Sequence, residues 1–124
     1  MTPSRISACV ACAAGLVLHI SICVRGEGGV DRVSVFLAAW SLVPYLACLV
    51  ALLAFKGGGP GMAGALSALA VDALTYHSVF VTPKGSRAAL ELFFAPLWST
   101  FIVVPAAVFG TAAAIRWRSA KAAP

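Results

Sequence analysis

Four long apolar runs, separated by short polar breaks, constrain the fold of this chain more than any other feature of its sequence. The runs cover residues 6–24, 33–55, 62–82 and 97–115. A helix needs about 20 residues to cross the ~30 Å hydrocarbon core of a bilayer, and each run has about that length. Open β-sheets cannot leave their edges unpaired in lipid. The sequence therefore predicts an all-α membrane protein with four transmembrane helices.

The breaks between the runs are polar and rich in turn-forming residues. They read RGEGGVDR, KGGGPG and PKGSR, which is typical of tight connections between neighbouring helices. Hydrophobic residues make up 61% of the 124 residues and charged residues only 10%, far from the composition of a soluble domain. We expect one domain over residues 1–124, folded as an antiparallel four-helix bundle with short loops.

Three prolines fall within or beside the predicted spans. Pro44 and Pro105 lie near the middle of the second and fourth spans, and Pro96 precedes the fourth. Because proline cannot donate a backbone hydrogen bond and clashes with the preceding turn, we expect the helices to be kinked at all three positions. Residues 88–96 are then an interfacial or kinked segment that leads into the fourth span.

Asp72 lies at the midpoint of the third span and Gly15 at the midpoint of the first, at the same predicted depth as Pro44 and Pro105. Each of these prolines frees the backbone carbonyl four residues earlier, and such an acceptor needs a partner in hydrocarbon. A protonated Asp72 could donate to one of these carbonyls. Gly15 would allow a neighbouring backbone to approach closely. The sequence thus predicts a loosened, polar layer at the bilayer midplane.

Asp72 should face the interior of the bundle, because an aspartate at the centre of a membrane helix is unfavourable by about 2.5–3.5 kcal/mol. Thr75 and Tyr76, three and four residues later, could share its hydrogen bonding. His19 should lie at the depth of Tyr76 if the first and third helices touch. Two interpretations stay open: these four residues form a site that takes up a proton or cation, or they form an interhelical polar clamp.

Cys9 and Cys12 form a C-x-x-C pair in the first run. In this motif and in its helix count the chain resembles the four-helix, quinone-linked thiol oxidases, and the resemblance implies a redox role for the two thiols. No loop carries a second cysteine pair here, and cysteine is also a common buried packing residue. Cys9 and Cys23 are roughly 21 Å apart along a helix, too far to share one metal ion. We expect no metal and no cofactor.

The basic residues are divided almost evenly between the two sides of the predicted bundle. The uniformly basic tail RWRSAKAAP favours the cytoplasmic side, so we expect a protein of the plasma (inner) membrane with both termini in the cytoplasm. Topology and anionic lipid then explain the net charge of +5. Nucleic acid is not an expected partner, because the basic residues are scattered over short segments.

Catalytic signatures are absent from the sequence, which contains no catalytic triad pattern, no zinc-protease motif and no phosphate-binding loop. We therefore expect a non-enzymatic accessory or assembly component, whose partner in the lipid bilayer is a larger membrane protein or a second copy of the chain. The first alternative is a small proton- or cation-linked transporter or channel subunit that uses Asp72. The second is a membrane thiol/quinone redox protein that uses Cys9 and Cys12.

Overall fold

The computed structural model describes residues 2–25, 32–55, 58–81 and 88–122, and these ranges are almost entirely helical. The six α-helices are α1 (Pro3–Arg25), α2 (Arg32–Ser41), α3 (Val43–Ala54), α4 (Gly59–Tyr76), α5 (Ala88–Trp98) and α6 (Val104–Ala122). Two π-helical segments complete the fold. The first, His77–Val81, continues α4, and the second, Ser99–Val103, joins α5 to α6. The predicted all-α class is confirmed.

Four helical stretches are long and apolar enough to cross a membrane. They are Pro3–Ser21, Val35–Ala54, Gly59–Val81 and Leu90–Ala122. Large apolar side chains cover the outside of the bundle: Leu53 is 84% exposed and Leu74 is 72% exposed. Such a surface is stable against lipid, where exposed apolar groups cost nothing, so the four predicted spans and a membrane location agree with the structure.

Helix α4 is the central element of the bundle, since its contacts with α1, α3 and α6 are the most extensive between helices. Small residues allow this close packing. A Cβ atom on Gly64 would lie 2.9 Å from Val108 Cγ2 and 3.1 Å from Cys48 Sγ, so only glycine leaves room for both neighbouring helices. Ala68 is fully buried one turn later. The stripe of Gly64, Ala68 and Asp72 thus faces the interior.

Three chain segments meet at one end of the bundle. A Cβ atom on Gly58 would lie 2.8 Å from Arg5 Cγ, and one on Gly59 would lie 3.4 Å from Ile115 Cδ1. The start of α1, the start of α4 and the later part of α6 are therefore neighbours. Gly58 precedes α4 with a φ of 74°, a left-handed conformation that glycine adopts without the steric cost of a Cβ atom.

The three prolines lie at different positions within the helices. The second span is interrupted two residues before Pro44, which lies in the first turn of α3, where its missing N–H costs no hydrogen bond. Pro96 lies inside α5, so the helix does not divide at this residue. Pro105 lies in the first turn of α6, directly after a π-helical segment. The stretch Leu90–Ala122 is one continuous helical run.

Candidate functional site

Asp72 is buried inside the bundle, with 6% of its surface exposed. The Tyr45 hydroxyl of α3 donates a hydrogen bond of 2.5 Å to Asp72 Oδ2. Tyr45 is itself buried, with 3% of its surface exposed. A carboxyl group away from water is costly unless a donor satisfies it. The bond supplies that donor and links α3 to α4.

Gly15 of α1 makes room for the Tyr45 ring. A Cβ atom on Gly15 would lie 2.6 Å from Tyr45 Cε1, closer than real Cβ atoms approach a neighbour. The missing side chain allows the ring to pass α1 and reach Asp72. We predicted a close backbone approach at Gly15, and the structure instead places an aromatic side chain there. Pro44, the residue before Tyr45, is fully buried.

His19 of α1 is the second polar neighbour of Asp72, and only 7% of its surface is exposed. Its Nδ1 lies 2.8 Å from the carbonyl oxygen of Gly15. A carbonyl only accepts, so Nδ1 carries a proton and donates it to this bond. The other ring nitrogen, Nε2, lies 3.9 Å from Asp72 Oδ2. In the neutral ring Nε2 is therefore unprotonated and turned toward the carboxyl group.

A cavity of about 20 Å³ adjoins this cluster. Its polar lining comes from His19, Ser41, Asp72, Thr75 and Tyr76, and Leu92, Ala95 and Pro96 of α5 complete it. This volume is sufficient for one water molecule. Because Pro96 has no N–H, it leaves the carbonyl of Leu92 without its helical donor, and both residues line the cavity. The cavity wall therefore carries five polar side chains beside this proline.

The four residues of the predicted coupling site all line this cavity, although two of them make contacts that we did not expect. The hydroxyl of Thr75 donates a 2.9 Å hydrogen bond to the backbone carbonyl of Val71, one turn earlier in its own helix. The ring of Tyr76 packs against that of Phe80, with 5.1 Å between the ring centroids. The structure thus brings the predicted residues together but gives Asp72 another hydrogen-bond donor.

That donor, Tyr45, was not among the predicted site residues. One signal for it was available: Ser41, Tyr45 and Cys48 follow at spacings of four and three, and so share one face of an otherwise apolar span. The predicted layer also assigned Asp72 a donor role toward a carbonyl freed by Pro44 or Pro105. In the structure Asp72 accepts a hydrogen bond from a side chain instead.

The candidate redox residues Cys9 and Cys12 are free thiols in the structure. Cys9 is exposed on the outer surface of α1, whereas Cys12 is half-buried against the core that contains Tyr45 and Cys48. The side chain of Cys23 lies outside the described residues. Within the described ranges, no three His, Cys, Asp or Glu side chains converge on a metal site. A redox role for the C-x-x-C pair stays a prediction.

Comparison with known proteins assigns this chain to no family. No family model, no curated protein and no solved structure matches it. Its function is therefore inferred from the chemistry of the buried cluster formed by Asp72, Tyr45 and His19.

Proposed function

We propose that this chain is a small proton-linked transporter or channel subunit in which Asp72, His19 and Tyr45 take up and release a proton inside the membrane. The observation that carries this proposal is the orientation of His19. Its Nδ1 donates a hydrogen bond to the Gly15 carbonyl. The basic Nε2 therefore faces the carboxyl group of Asp72, with 3.9 Å between Nε2 and Oδ2.

The two side chains can hold one proton in two arrangements. Asp72 carries it while His19 is neutral, or His19 carries it at Nε2 and forms an ion pair with the carboxylate. Both arrangements have zero net charge, so the proton can move between them without burying an uncompensated charge. When the proton leaves the site, the remaining carboxylate keeps the hydrogen bond from Tyr45.

The adjacent cavity provides a route between the two groups. The distance of 3.9 Å from Nε2 to Oδ2 is too long for a direct hydrogen bond. A single water molecule in the cavity would bridge the two atoms and carry the proton from one to the other. Ser41, which is also buried, would provide a further partner for this water.

These features go beyond what a structural clamp requires. The hydrogen bond from Tyr45 to Asp72 alone joins two helices and satisfies the carboxyl group. The basic nitrogen of His19 and the polar cavity beside it add a second protonatable group and space for a water molecule. Both features favour proton exchange, and ionisable groups within membrane spans commonly belong to proton pathways.

The proposal includes an orientation of four antiparallel spans in the plasma (inner) membrane, with both termini in the cytoplasm. It is supported by the end of the bundle where Arg5 approaches Gly58 and Ile115 approaches Gly59. This end also carries the basic residues that follow Ile115 in the C-terminal part of α6: Arg116, Arg118 and Lys121. A cluster of basic residues favours the cytoplasmic side and anionic lipid.

Proton flux into liposomes that contain the purified protein tests the proposal. Wild-type protein should carry protons down an imposed pH gradient, and Asp72→Asn should abolish this flux, because the amide retains the size of the side chain but has no acidic proton to release. His19→Gln should also reduce it strongly. Ser67→Ala is the matched control on α4, since Ser67 donates only to its own helix, to the Ala63 carbonyl at 2.6 Å. Flux that persists in Asp72→Asn would contradict the proposal.

A second candidate is the accessory or assembly role expected from the sequence, with a larger membrane protein or a second copy as the partner. It is supported by an open depression of about 320 Å³ on the outer surface, lined by Phe94, Leu97, Trp98, Phe101 and Ile102. Phe101 is 69% exposed. An aromatic surface of this kind can pack against a helix of a partner.

Affinity purification in mild detergent tests this second candidate. It should recover a stoichiometric partner, and Phe101→Ala should weaken the complex. A protein that is monomeric under all conditions would argue against this role.

A further inference from the structure

A groove of about 420 Å³ opens on the outer surface between the third span and α5. We call it the Glu91 groove; the residues that define it are Leu74, Thr75, Ser78, Glu91, Phe94 and Trp98. Its volume lies within the range of small-molecule sites, about 300–1,000 Å³. Most of its lining is apolar, so a ligand in this groove would bury apolar surface.

Among the described residues that line the groove, Glu91 is the one that carries a charge. Ser78 donates a 2.6 Å hydrogen bond to Glu91 Oε2, which holds the carboxylate beside the apolar wall. The chain as a whole is basic, with nine Lys and Arg residues against four Asp and Glu residues. The Glu91 carboxylate therefore distinguishes this groove and makes its described lining complementary to a cation.

Two aromatic side chains stand beside this carboxylate. Glu91, Phe94 and Trp98 follow at spacings of three and four, so they share one face of α5. Phe94 is 47% exposed and Trp98 is 59% exposed, which leaves their rings accessible. Aromatic faces attract cations, and most strongly where water is excluded. A small inorganic cation would gain nothing from the apolar walls, whereas a hydrophobic organic cation would use both the charge and the walls.

We infer that the Glu91 groove binds a hydrophobic, monovalent organic cation, with its charge near Glu91 and its apolar groups against Phe94, Trp98 and Leu74. The groove adjoins the cavity of the buried cluster, because Thr75 and Ala95 line both. A cation in the groove would lie one layer of side chains away from Asp72. Coupling of this cation to proton movement rests on the proposed function, but its binding does not.

Equilibrium binding of radiolabelled tetraphenylphosphonium to the purified full chain in a non-ionic detergent tests this inference. Wild-type protein should bind the cation saturably. Glu91→Gln should weaken binding about fivefold or more, the effect expected for the loss of one partly exposed charge contact. Glu91→Asp, which retains the charge, should stay within a few-fold of wild type. Ser78→Ala, which retains Glu91 but removes its hydrogen bond, is the matched control and should lose less affinity than Glu91→Gln.

Two results would overturn the inference. The first is equal binding by wild type and Glu91→Gln, and the second is equal competition by triphenylphosphine oxide, a neutral aromatic compound of similar shape. Either result would show that the groove does not select for a cation and takes up lipid or detergent instead. Asp72→Asn separates this test from that of the proposed function, because it should lose proton flux but retain cation binding. If wild-type protein bound the cation but carried no protons, the inference would stand and the proposed function would be wrong.

Discussion

At the scale of single residues, Gly15 positions both neighbours of Asp72. Its carbonyl oxygen accepts the 2.8 Å hydrogen bond that fixes the ring orientation of His19. Its missing side chain leaves the space that the Tyr45 ring occupies. Gly15 therefore orients the imidazole ring of His19 and leaves space for the phenol ring of Tyr45.

Replacement of Gly15 by alanine should move Tyr45 away from Asp72. In Gly15→Ala the new methyl group would overlap the Tyr45 ring, so the ring must move away from Asp72. We expect a loss of about 1–3 kcal/mol in the free energy of unfolding, as for other overpacked interiors, together with a loss of proton flux. Thermal unfolding in detergent and the liposome assay measure the two effects.

The control for this change is Gly110→Ala in α6, where a Cβ atom would have no packing neighbour within 4 Å among the described residues. Alanine is favoured over glycine in a helix by about 1 kcal/mol, so this variant should be as stable as wild type or more stable. If the two variants behaved alike, the close approach of Tyr45 to Gly15 would be excluded.

At the scale of helical elements, the π-helical segment Ser99–Val103 explains how a helix of this length accommodates Pro105. The N–H of Val104 bonds to the carbonyl of Ser99, five residues earlier, instead of to the usual carbonyl four residues earlier. Such a wider turn commonly marks an insertion or a functional position within a helix. It also places Ser99 completely inside the bundle.

The buried hydroxyl of Ser99 leads to a prediction about stability. It has no hydrogen-bond partner among the described residues, and an unsatisfied buried polar group costs about 1–3 kcal/mol. Ser99→Ala should therefore raise the free energy of unfolding, by about 1 kcal/mol. Ser67→Ala, which loses a satisfied hydroxyl, should not be stabilised. Thermal unfolding of both variants in the same detergent would disprove the prediction if Ser99→Ala were the less stable of the two.

At the scale of the whole molecule, the bundle is organised around α4. The small residues of this helix allow α1, α3 and α6 to pack closely against it. The same helix carries Asp72, so groups on α1 and α3 can reach one carboxyl group from two sides. The start of α1 meets the start of α4, where Ser4 and Arg5 approach Gly58.

A disulfide cross-link tests this arrangement of the two helix starts. The hydroxyl oxygen of Ser4 lies 3.2 Å from the position of a Cβ atom on Gly58, close enough for two cysteines to be bridged. In a background whose four native cysteines are replaced by alanine, the pair Ser4→Cys and Gly58→Cys should cross-link on mild oxidation. The left-handed backbone at Gly58 adds a strain of about 1–2 kcal/mol. The pair Ser4→Cys and Gly110→Cys is the control, and equal cross-linking in both would contradict the fold.

The four spans and the interior position of Asp72 were predictable from the sequence. Crossing hydrocarbon requires about 20 apolar residues however the helices are packed, and a carboxyl group cannot face lipid without a large cost. The effects of the prolines were less predictable. A proline prevents one hydrogen bond, but the neighbouring backbone determines whether the helix breaks before it, as at Pro44, or continues through it, as at Pro96.

The sequence by itself therefore determined that this protein has four helices long and apolar enough to cross a membrane, and a polar centre on the third. Only the tertiary structure decided which groups reach that centre. Tyr45 and His19 approach Asp72 because of how α1 and α3 are rotated against α4. That rotation depends on the packing of small residues such as Gly15 and Gly64. Lipid does not favour one apolar face of a helix over another, so the faces that meet are selected by how well two helix surfaces pack together. Such a fit involves two distant segments of the chain and cannot be read from either segment alone.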